Sequence, residues 1–559
     1  MEFQNRLNKL RREFRAFCRD KGRGNQQKFS RSKKQSAFKN SVWLAVILFL
    51  FFGSVALWHP AKIAGAAQAA YNKWKLLTLI LDKIERFYVE EKDPDEILDH
   101  AISGMLSSLD AHSVYLSPSE YARWKEQYTG YYGIGLKYNF LHPALIVCAL
   151  VEGGPAERSG IKLGDKILSL QGADVANLKN EEIRQLLIGP EGSHVIVEIQ
   201  RDGLDDHLVF EVPREKILLE SIPCYFMYND QVGYIKIAHF TSTTPTELDI
   251  AVAKLQDENM GWLILDLRDN SGGELNAGVE VADRFLSAGK IIVFTQGRFV
   301  QSNQQYISTN ESTYDDFALI VLVNQATASD AEIVAGALQD WDRALIVGDR
   351  TYGKALVQTE YPFQDGSALL LTTARYFTPL GRLIQRDSGQ ADVGAGPQVK
   401  KETKTKLEVT PQKFVTPKGR IVYGGGGIAP DISLEESAMT MPEIIYKLSR
   451  LNKNYMLKFA DRFVSGNPKV TQDQTKFVFE YQVTDPVLEQ FYLFLRNAGE
   501  LQLEREARAS SAALKFALKR EIAGRVWGDN GRFMVAVLGD IQVRKSVEYF
   551  AQAENLISR

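Results

Sequence analysis

A chain of 559 residues with 45% hydrophobic and 24% charged residues has ample material for several packed domains. Its net charge of −2 hides an imbalance, because residues 1–40 carry thirteen Lys/Arg against three acids; such a split marks a tail that faces a membrane or a nucleic acid. Three cysteines (Cys18, Cys148 and Cys224) exclude a disulfide framework, and no Cys/His cluster has the spacing of a metal site.

The basic arm (1–40) ends at an uncharged run from Ser41 to Trp58, 18 residues with a Trp near each end. That is long enough to cross a bilayer as one helix. The positive-inside rule then puts the arm in the cytoplasm and everything after His59 in the periplasm or extracytoplasmic space, on a single-pass inner-membrane protein. The small residues Ala64 to Ala70 would also suit signal cleavage, but the arm and the apolar run are both long for a signal peptide. The segment 41–58 therefore reads as an uncleaved anchor, and the arm as a membrane flank with no nucleic-acid partner.

Residues 71–128 read as a helical region, with helices at Leu76–Tyr88, Pro94–Leu109 and Pro118–Tyr128. Asp93 ahead of Pro94 suits an N-cap followed by proline at the first helical position. Between the last two lies Leu109-Asp-Ala-His-Ser-Val-Tyr-Leu116, where His112 reads as a structural residue of a turn.

From 130 to 215 the pattern changes to short strands and glycine turns: Gly133–Leu136, Ala144–Leu150, Asp165–Leu170 and His194–Arg201, with helical pieces at Pro155–Ser159 and Asn180–Leu187. The motifs Gly133-Ile-Gly-Leu136, Gly153-Gly-Pro-Ala-Glu-Arg-Ser-Gly-Ile161 and Leu163-Gly-Asp-Lys-Ile167 resemble those of a PDZ domain. That resemblance implies a loop (Gly133, Ile134, Gly135, Leu136) whose N–H groups receive a terminal carboxylate, and a following strand that pairs with the peptide. A small β-barrel without a ligand would share the pattern. An apolar pocket implies apolar C-terminal tails as partners.

Residues 220–435 alternate strand and helix, which argues for an α/β core. The expected elements are strand Val232–Ile237, helix Thr244–Asp257, strand Trp262–Leu267 ending in Arg268-Asp-Asn-Ser-Gly-Gly273, and helix Ala277–Leu286. Then comes the segment with the most chemistry. Strand Ala318–Val323 feeds a small-residue turn, Asn324-Gln-Ala-Thr-Ala-Ser-Asp330, and helix Ala331–Asp340; strand Ala344–Gly348 leads into Thr351-Tyr-Gly-Lys-Ala-Leu-Val-Gln358. A hydroxyl at a helix N-terminus sits where unpaired N–H groups and the helix dipole favour an oxyanion. Ser329 is the candidate nucleophile. No histidine lies in the segment, so Lys354 is the candidate base, provided that burial brings its pKa down. Gln358 could orient the ammonium. The plain alternative is that Ser329-Asp-Ala-Glu332 is a capping box and nothing more.

These two motifs closely resemble the signature of the carboxyl-terminal processing (tail-specific) peptidases, a Ser/Lys family. The family's middle serine falls on Ser329, its general base on Lys354, 25 residues on, and its glutamine on Gln358. The similarity spans most of 75–435, and Leu109–Leu116 matches the family's segment ahead of the PDZ domain. It implies a crotonase/ClpP-like catalytic core and an oxyanion hole made by the N–H groups of Gly272 (or Gly273) and Asp330. Three departures stand out: Asp330 replaces a small residue, Ala331 a serine, and Ala355 a glycine. A carboxylate at 330 pointing into the site would hold Lys354 protonated, so its side chain is expected to point away.

Thr378-Pro-Leu-Gly-Arg-Leu-Ile-Gln385 and Thr416-Pro-Lys-Gly-Arg-Ile-Val-Tyr423 look like a local duplication flanking an inserted polar loop (386–415). Gly424 to Asp431 matches the family segment that closes the core. Residues 436–559 read as helices (Pro442–Asn452, Pro486–Asn497, Glu500–Trp527, Asp540–Leu556) without a motif. The expectation is thus an α/β peptidase core with an inserted PDZ domain, an N-terminal transmembrane helix and a helical C-terminal region. It would cleave protein tails with no metal or cofactor, and a homo-oligomer or activating adaptor stays open. A non-cutting tail-binding scaffold and a crotonase-like enzyme acting on a small acyl substrate are the rivals.

Overall fold

The structure, a computed structural model, describes residues 60–309, 314–386, 412–434, 442–449 and 454–557. The basic arm with Cys18, the expected span 41–58 and the lysine-rich stretch 387–411 lie outside these residues. Among the described residues, no helix is long and apolar enough to cross a membrane. The first of two compact units runs to His100 and holds helix Pro60–Phe87 and the start of helix Pro94–Leu106. Asp93 caps the latter, accepting the Asp95 N–H at 2.9 Å.

The second unit contains the α/β sheet, with strand order Cys224–Met227, Val232–Lys236, Trp262–Asp266, Ala318–Val323, Leu345–Gly348 and Ile432–Ser433. The first pair is antiparallel and the others parallel. These strands are near-continuous apolar runs because both faces are covered. Leu263, Leu265, Leu319, Val321 and Ile346 face one core, with helices Thr244–Asp257, Leu275–Asp283 and Asp330–Asp340. Their alternates Ile264, Ile320, Leu322, Leu345 and Val347 face a second core, made with the C-terminal helices. The helical tail is therefore the other wall of the catalytic sheet, a role its sequence did not disclose. It also contains helices Tyr455–Gly466 and Gln474–Phe479, which the pattern had not suggested.

The expected single helix from Glu500 to Trp527 is instead two, Leu501–Ala509 and Ser511–Leu538, the second broken at Trp527–Gly528. Gly528 takes φ 65° there, and a Cβ on it would come within 3.1 Å of the Cys148 carbonyl oxygen. The break thus falls where this helix meets the PDZ-like sheet. That sheet runs Leu136–Leu141, Ala144–Leu150, Lys166–Leu170, His194–Gln200, Leu208–Pro213, all antiparallel, with Leu136–Leu141 at the edge. Gly133–Leu136 is not one strand: Tyr131–Gly133 pairs with Glu215–Ile217, and a new strand starts at Leu136. Gly135 at φ 73° makes the turn between them.

The duplicated segments form the same turn twice. Thr378 N–H donates to Arg382 O and Gly381 N–H to Thr378 O; Thr416 N–H donates to Arg420 O and Gly419 N–H to Thr416 O. Each arginine then grips a carboxylate at the end of helix Asp330–Asp340, Arg382 on Asp340 at 2.6 Å and Arg420 on Asp342 at 2.7 Å.

Candidate active site

Ser329 is the N-cap of helix Asp330–Asp340, reached from strand Ala318–Val323 through the turn 324–328. Its backbone sits at φ 56°, ψ −118°, a conformation costly for a residue with a Cβ and common where a side chain must be presented. Two loops hold it there. Thr327 Oγ1 donates to Leu267 O at 2.8 Å, and Ala328 N–H donates to Asn270 O at 2.9 Å. A Cβ on Gly272 would lie 2.7 Å from the Ser329 Cβ, so only glycine lets the 268–273 loop come this close.

The capping box exists in half. Glu332 accepts the Ser329 main-chain N–H at 3.0 Å, while the Ser329 hydroxyl makes no cap hydrogen bond. The same Glu332 carboxylate reaches further than a cap. It accepts the N–H groups of Gly353 (2.8 Å) and Lys354 (2.9 Å) and the hydroxyl of Thr351 (2.5 Å). One fully buried carboxylate thus joins the serine's turn to the lysine's turn. Tyr376 does the same from the opposite side, its hydroxyl donating to both Ser329 O (3.0 Å) and Lys354 O (2.6 Å). Sequence reasoning treated Glu332 as a helix starter and passed over Tyr376. The S-x-x-E spacing was the available signal for the first; nothing marked the second.

Burial lowers the pKa of Lys354, while the carboxylates of Asp330, Glu332 and Asp110 oppose that shift. Burial pushes Glu332 up to about 7 against its four donors. His112 is also lowered, by burial and by the charge of Lys354, which puts the 109–116 turn against the lysine. Its neighbour Asp110 accepts the N–H groups of His112 and Ser113 at 2.7 Å each.

The remaining expected residues are placed differently. Gln358 lies on strand Leu356–Pro362, where its amide nitrogen donates to Thr372 Oγ1 at 3.3 Å. Gln385 is the glutamine that serves the lysine's segment, accepting the Ala355 N–H at 2.8 Å. The Asp330 carboxyl turns towards Gly273 and Gly278. It is buried beside helix residue Gly278 and accepts the Gly273 N–H at 2.7 Å. Burial raises it to about 6, against the Gly273 bond and the charge of Lys354. Gly272 N–H donates to Asn270 Oδ1 at 2.8 Å. Both glycine donors expected at the oxyanion are thus already engaged in this geometry. In the 133–136 loop, Ile134 is a buried core residue; its carbonyl accepts Ala156 N–H, and that of Gly135 accepts Val151 N–H, both at 2.9 Å.

Residues 231–395 match the model of peptidase family S41 and residues 146–201 that of a PDZ domain. The carboxy-terminal-processing protease of Bartonella bacilliformis is 32% identical over 323 residues, 57% of this chain and 74% of that protein. The carboxy-terminal processing protease CtpA of Bacillus subtilis is 30% identical over 339 residues, 60% of this chain and 71% of that one. A carboxyl-terminal-processing protease of Picosynechococcus is 36% identical over 304 residues, covering 53% and 72%.

Proposed function

Because the chain belongs to the carboxyl-terminal processing proteases of peptidase family S41, with a PDZ domain, we propose that it is a membrane-anchored serine endopeptidase that cuts protein tails with a Ser329/Lys354 dyad. The observation that supports this most is the double tether between the two residues: Glu332 binds the N–H groups of both, and Tyr376 the carbonyls of both. Ser329 Oγ attacks the scissile carbonyl and gives its proton to neutral Lys354. The lysine returns it to the leaving amine, and water then hydrolyses the acyl-enzyme. Burial favours the neutral amine this requires. The oxyanion is received at the N-terminus of helix Asp330–Asp340, with the Asp330 N–H and, once it is released from Asn270, that of Gly272. The edge strand from Leu136 takes an apolar C-terminal tail as an added strand. The run 41–58 anchors the chain, with its bulk in the periplasm or its equivalent.

A second reading is a tail-binding scaffold that does not cut, favoured by the engaged N–H groups of Gly272 and Gly273 and the carboxyl of Asp330 beside the lysine. One experiment separates them. The full chain, purified in detergent, is incubated with an unfolded reporter bearing an apolar tail, beside a Ser329→Ala variant and a tail-less reporter. Cleavage abolished in both controls supports the peptidase. Tail binding with no cleavage by the parent chain turns the conclusion to the scaffold.

A further inference from the structure

Beside the lysine's segment opens a cavity of about 510 Å³ whose lining is rich in positive charge: Arg298, Arg375 and Arg386 all face it, with Asp110 and Gln385. Its walls are the site's own supports. Leu356 in the lining lies two residues beyond Lys354, and Gln385 holds the Ala355 N–H. Arg386 N–H donates to Gly353 O at 2.9 Å and its guanidinium to Thr351 O at 3.0 Å. Among the described residues one carboxylate lines the cavity and it is spoken for: Asp110 takes the N–H groups of His112 and Ser113 and the hydroxyls of Ser113 and Thr372.

The three guanidinium groups, by contrast, make no ion pair with a carboxylate among the described residues. Arg298 rests on the Phe299 ring, 5.3 Å to its centroid. Arg375 is exposed on strand Ala368–Phe377, paired with Gln296 of strand Ile291–Gly297. Arg268, Arg284, Arg382, Arg420 and Arg525, by contrast, each hold a carboxylate. Three arginines without an ion pair among the described residues thus converge on one concave surface. A guanidinium's planar fork suits a carboxylate, and a concave surface lined by one sign of charge focuses that attraction.

We infer that this cavity is a substrate subsite for acidic side chains: a Glu or Asp of the bound chain, near the scissile bond, is received by Arg298 and Arg375 while Arg386 braces the lysine's turn. This rests on the peptidase reading above and adds a sequence preference to it. The PDZ domain would select the tail, and this cavity the place along the chain at which an acidic residue lets the cut proceed.

The test uses full-length protein in detergent and a set of unfolded reporters with one tail. Each carries a single Glu at a different position upstream of the tail, beside a twin with Gln there. At one or two positions the Glu reporter is cut about ten-fold better in kcat/KM than its twin, an advantage that shrinks in 0.5 M salt. In Arg298→Gln/Arg375→Gln the Glu-to-Gln ratio falls towards one, and in Arg298→Lys/Arg375→Lys most of it returns. The absence of a preferred Glu position, or a preference that survives the glutamine pair, overturns the inference. If the parent chain cuts no reporter, the peptidase reading fails on its own. Fluorescence anisotropy of the Glu and Gln reporters on the uncut protein then decides the subsite: tighter Glu binding that needs both arginines supports it, and equal binding overturns it.

Discussion

Two junctions of this molecule are built from different materials. Where Ser329 meets Lys354, the joint is buried and made of short bonds: four donors on the Glu332 carboxylate and two carbonyls on the Tyr376 hydroxyl. Where the PDZ domain meets the C-terminal helices, the joint is a lattice of ion pairs. Lys166 and Arg525 each contact both Asp202 and Asp461 at 2.8–3.3 Å, and Lys137 meets Asp529 at 2.9 Å. Buried, fully satisfied networks fix geometry to the tolerance that bond-making needs. In the ion-pair lattice Lys166 and Arg525 each face two aspartates, one of them 42% exposed, so a single pair can break without leaving a stranded charge. The first joint is built to hold one geometry, and the second to tolerate the loss of one contact.

If that contrast is right, breaking the first joint removes turnover and spares tail binding. Lys354→Ala is expected to lower kcat by about 10³-fold or more, with the tail's Kd on the full chain unchanged in a binding titration. A parallel loss of tail affinity would mean that the two functions are not separable in this way.

Glu332→Gln comes next. The amide can meet only part of the set of four donors, and the unmatched ones cost about 1–3 kcal/mol apiece. Expected are a lower denaturation midpoint and a kcat reduced roughly 10²-fold by misplacement of the dyad, while KM moves little. A kcat within two-fold of the parent would reduce Glu332 to the helix cap that its sequence first suggested.

Asp330 sharpens the same joint through pH. Its carboxyl, normally near 3.8, is raised to about 6 in the fold, so the folded state holds this proton more tightly than the unfolded chain. Its contribution to stability is full below about pH 4 and is lost as pH rises through 6, worth about 3 kcal/mol by the size of the shift. Asp330→Asn should flatten the stability profile over that window, as read by thermal melts from pH 4 to 8. It also removes a negative charge that favours protonated Lys354, so the ascending limb of kcat/KM should move about one pH unit towards acid. Asparagine keeps the acceptor for Gly273, so a further gain in Asp330→Ala would report the freed N–H group itself.

Much of the catalytic half was legible in the sequence because its signals are local. The apolar run Ala318–Val323, the small-residue turn and the helix lie in order along the chain, and each took the form expected. What escaped was set by distance. Tyr376 becomes a bridge only when strand Ala368–Phe377 returns to Ser329 and Lys354, and Gln385 reaches the Ala355 N–H only because the 378–386 turn brings it back. Charge alone suggested that Asp330 points away from the lysine, but the sequence could not reveal the Gly273 N–H that receives its carboxyl. The C-terminal helices were readable as helices and nothing more, because the face that they cover belongs to strands more than a hundred residues earlier.

The smallest effect tests the looser joint. Asp461, on helix Tyr455–Gly466, accepts Arg525 Nε at 2.8 Å and pairs with Lys166 of the PDZ sheet at 3.0 Å. Asp461→Asn removes the charge that both cations share, leaving Asp202 to hold them alone. Because Asp202, 42% exposed, still faces both cations and asparagine keeps an acceptor for Arg525, global stability should fall by only about 1–2 kcal/mol. The local effect should be larger than the global one: amide exchange quickens in strand Ala144–Leu150, which meets the broken helix at Gly528, and in strand Lys166–Leu170, which carries Lys166, while the sheet under Ser329 keeps its protection. KM for a tailed reporter should shift two- to three-fold with kcat intact. Should kcat instead drop as far as in Glu332→Gln, the PDZ joint would be a rigid part of the catalytic frame. The route would then run through Arg268, which bonds Asp540 of the same helical region and opens the loop that carries Gly272.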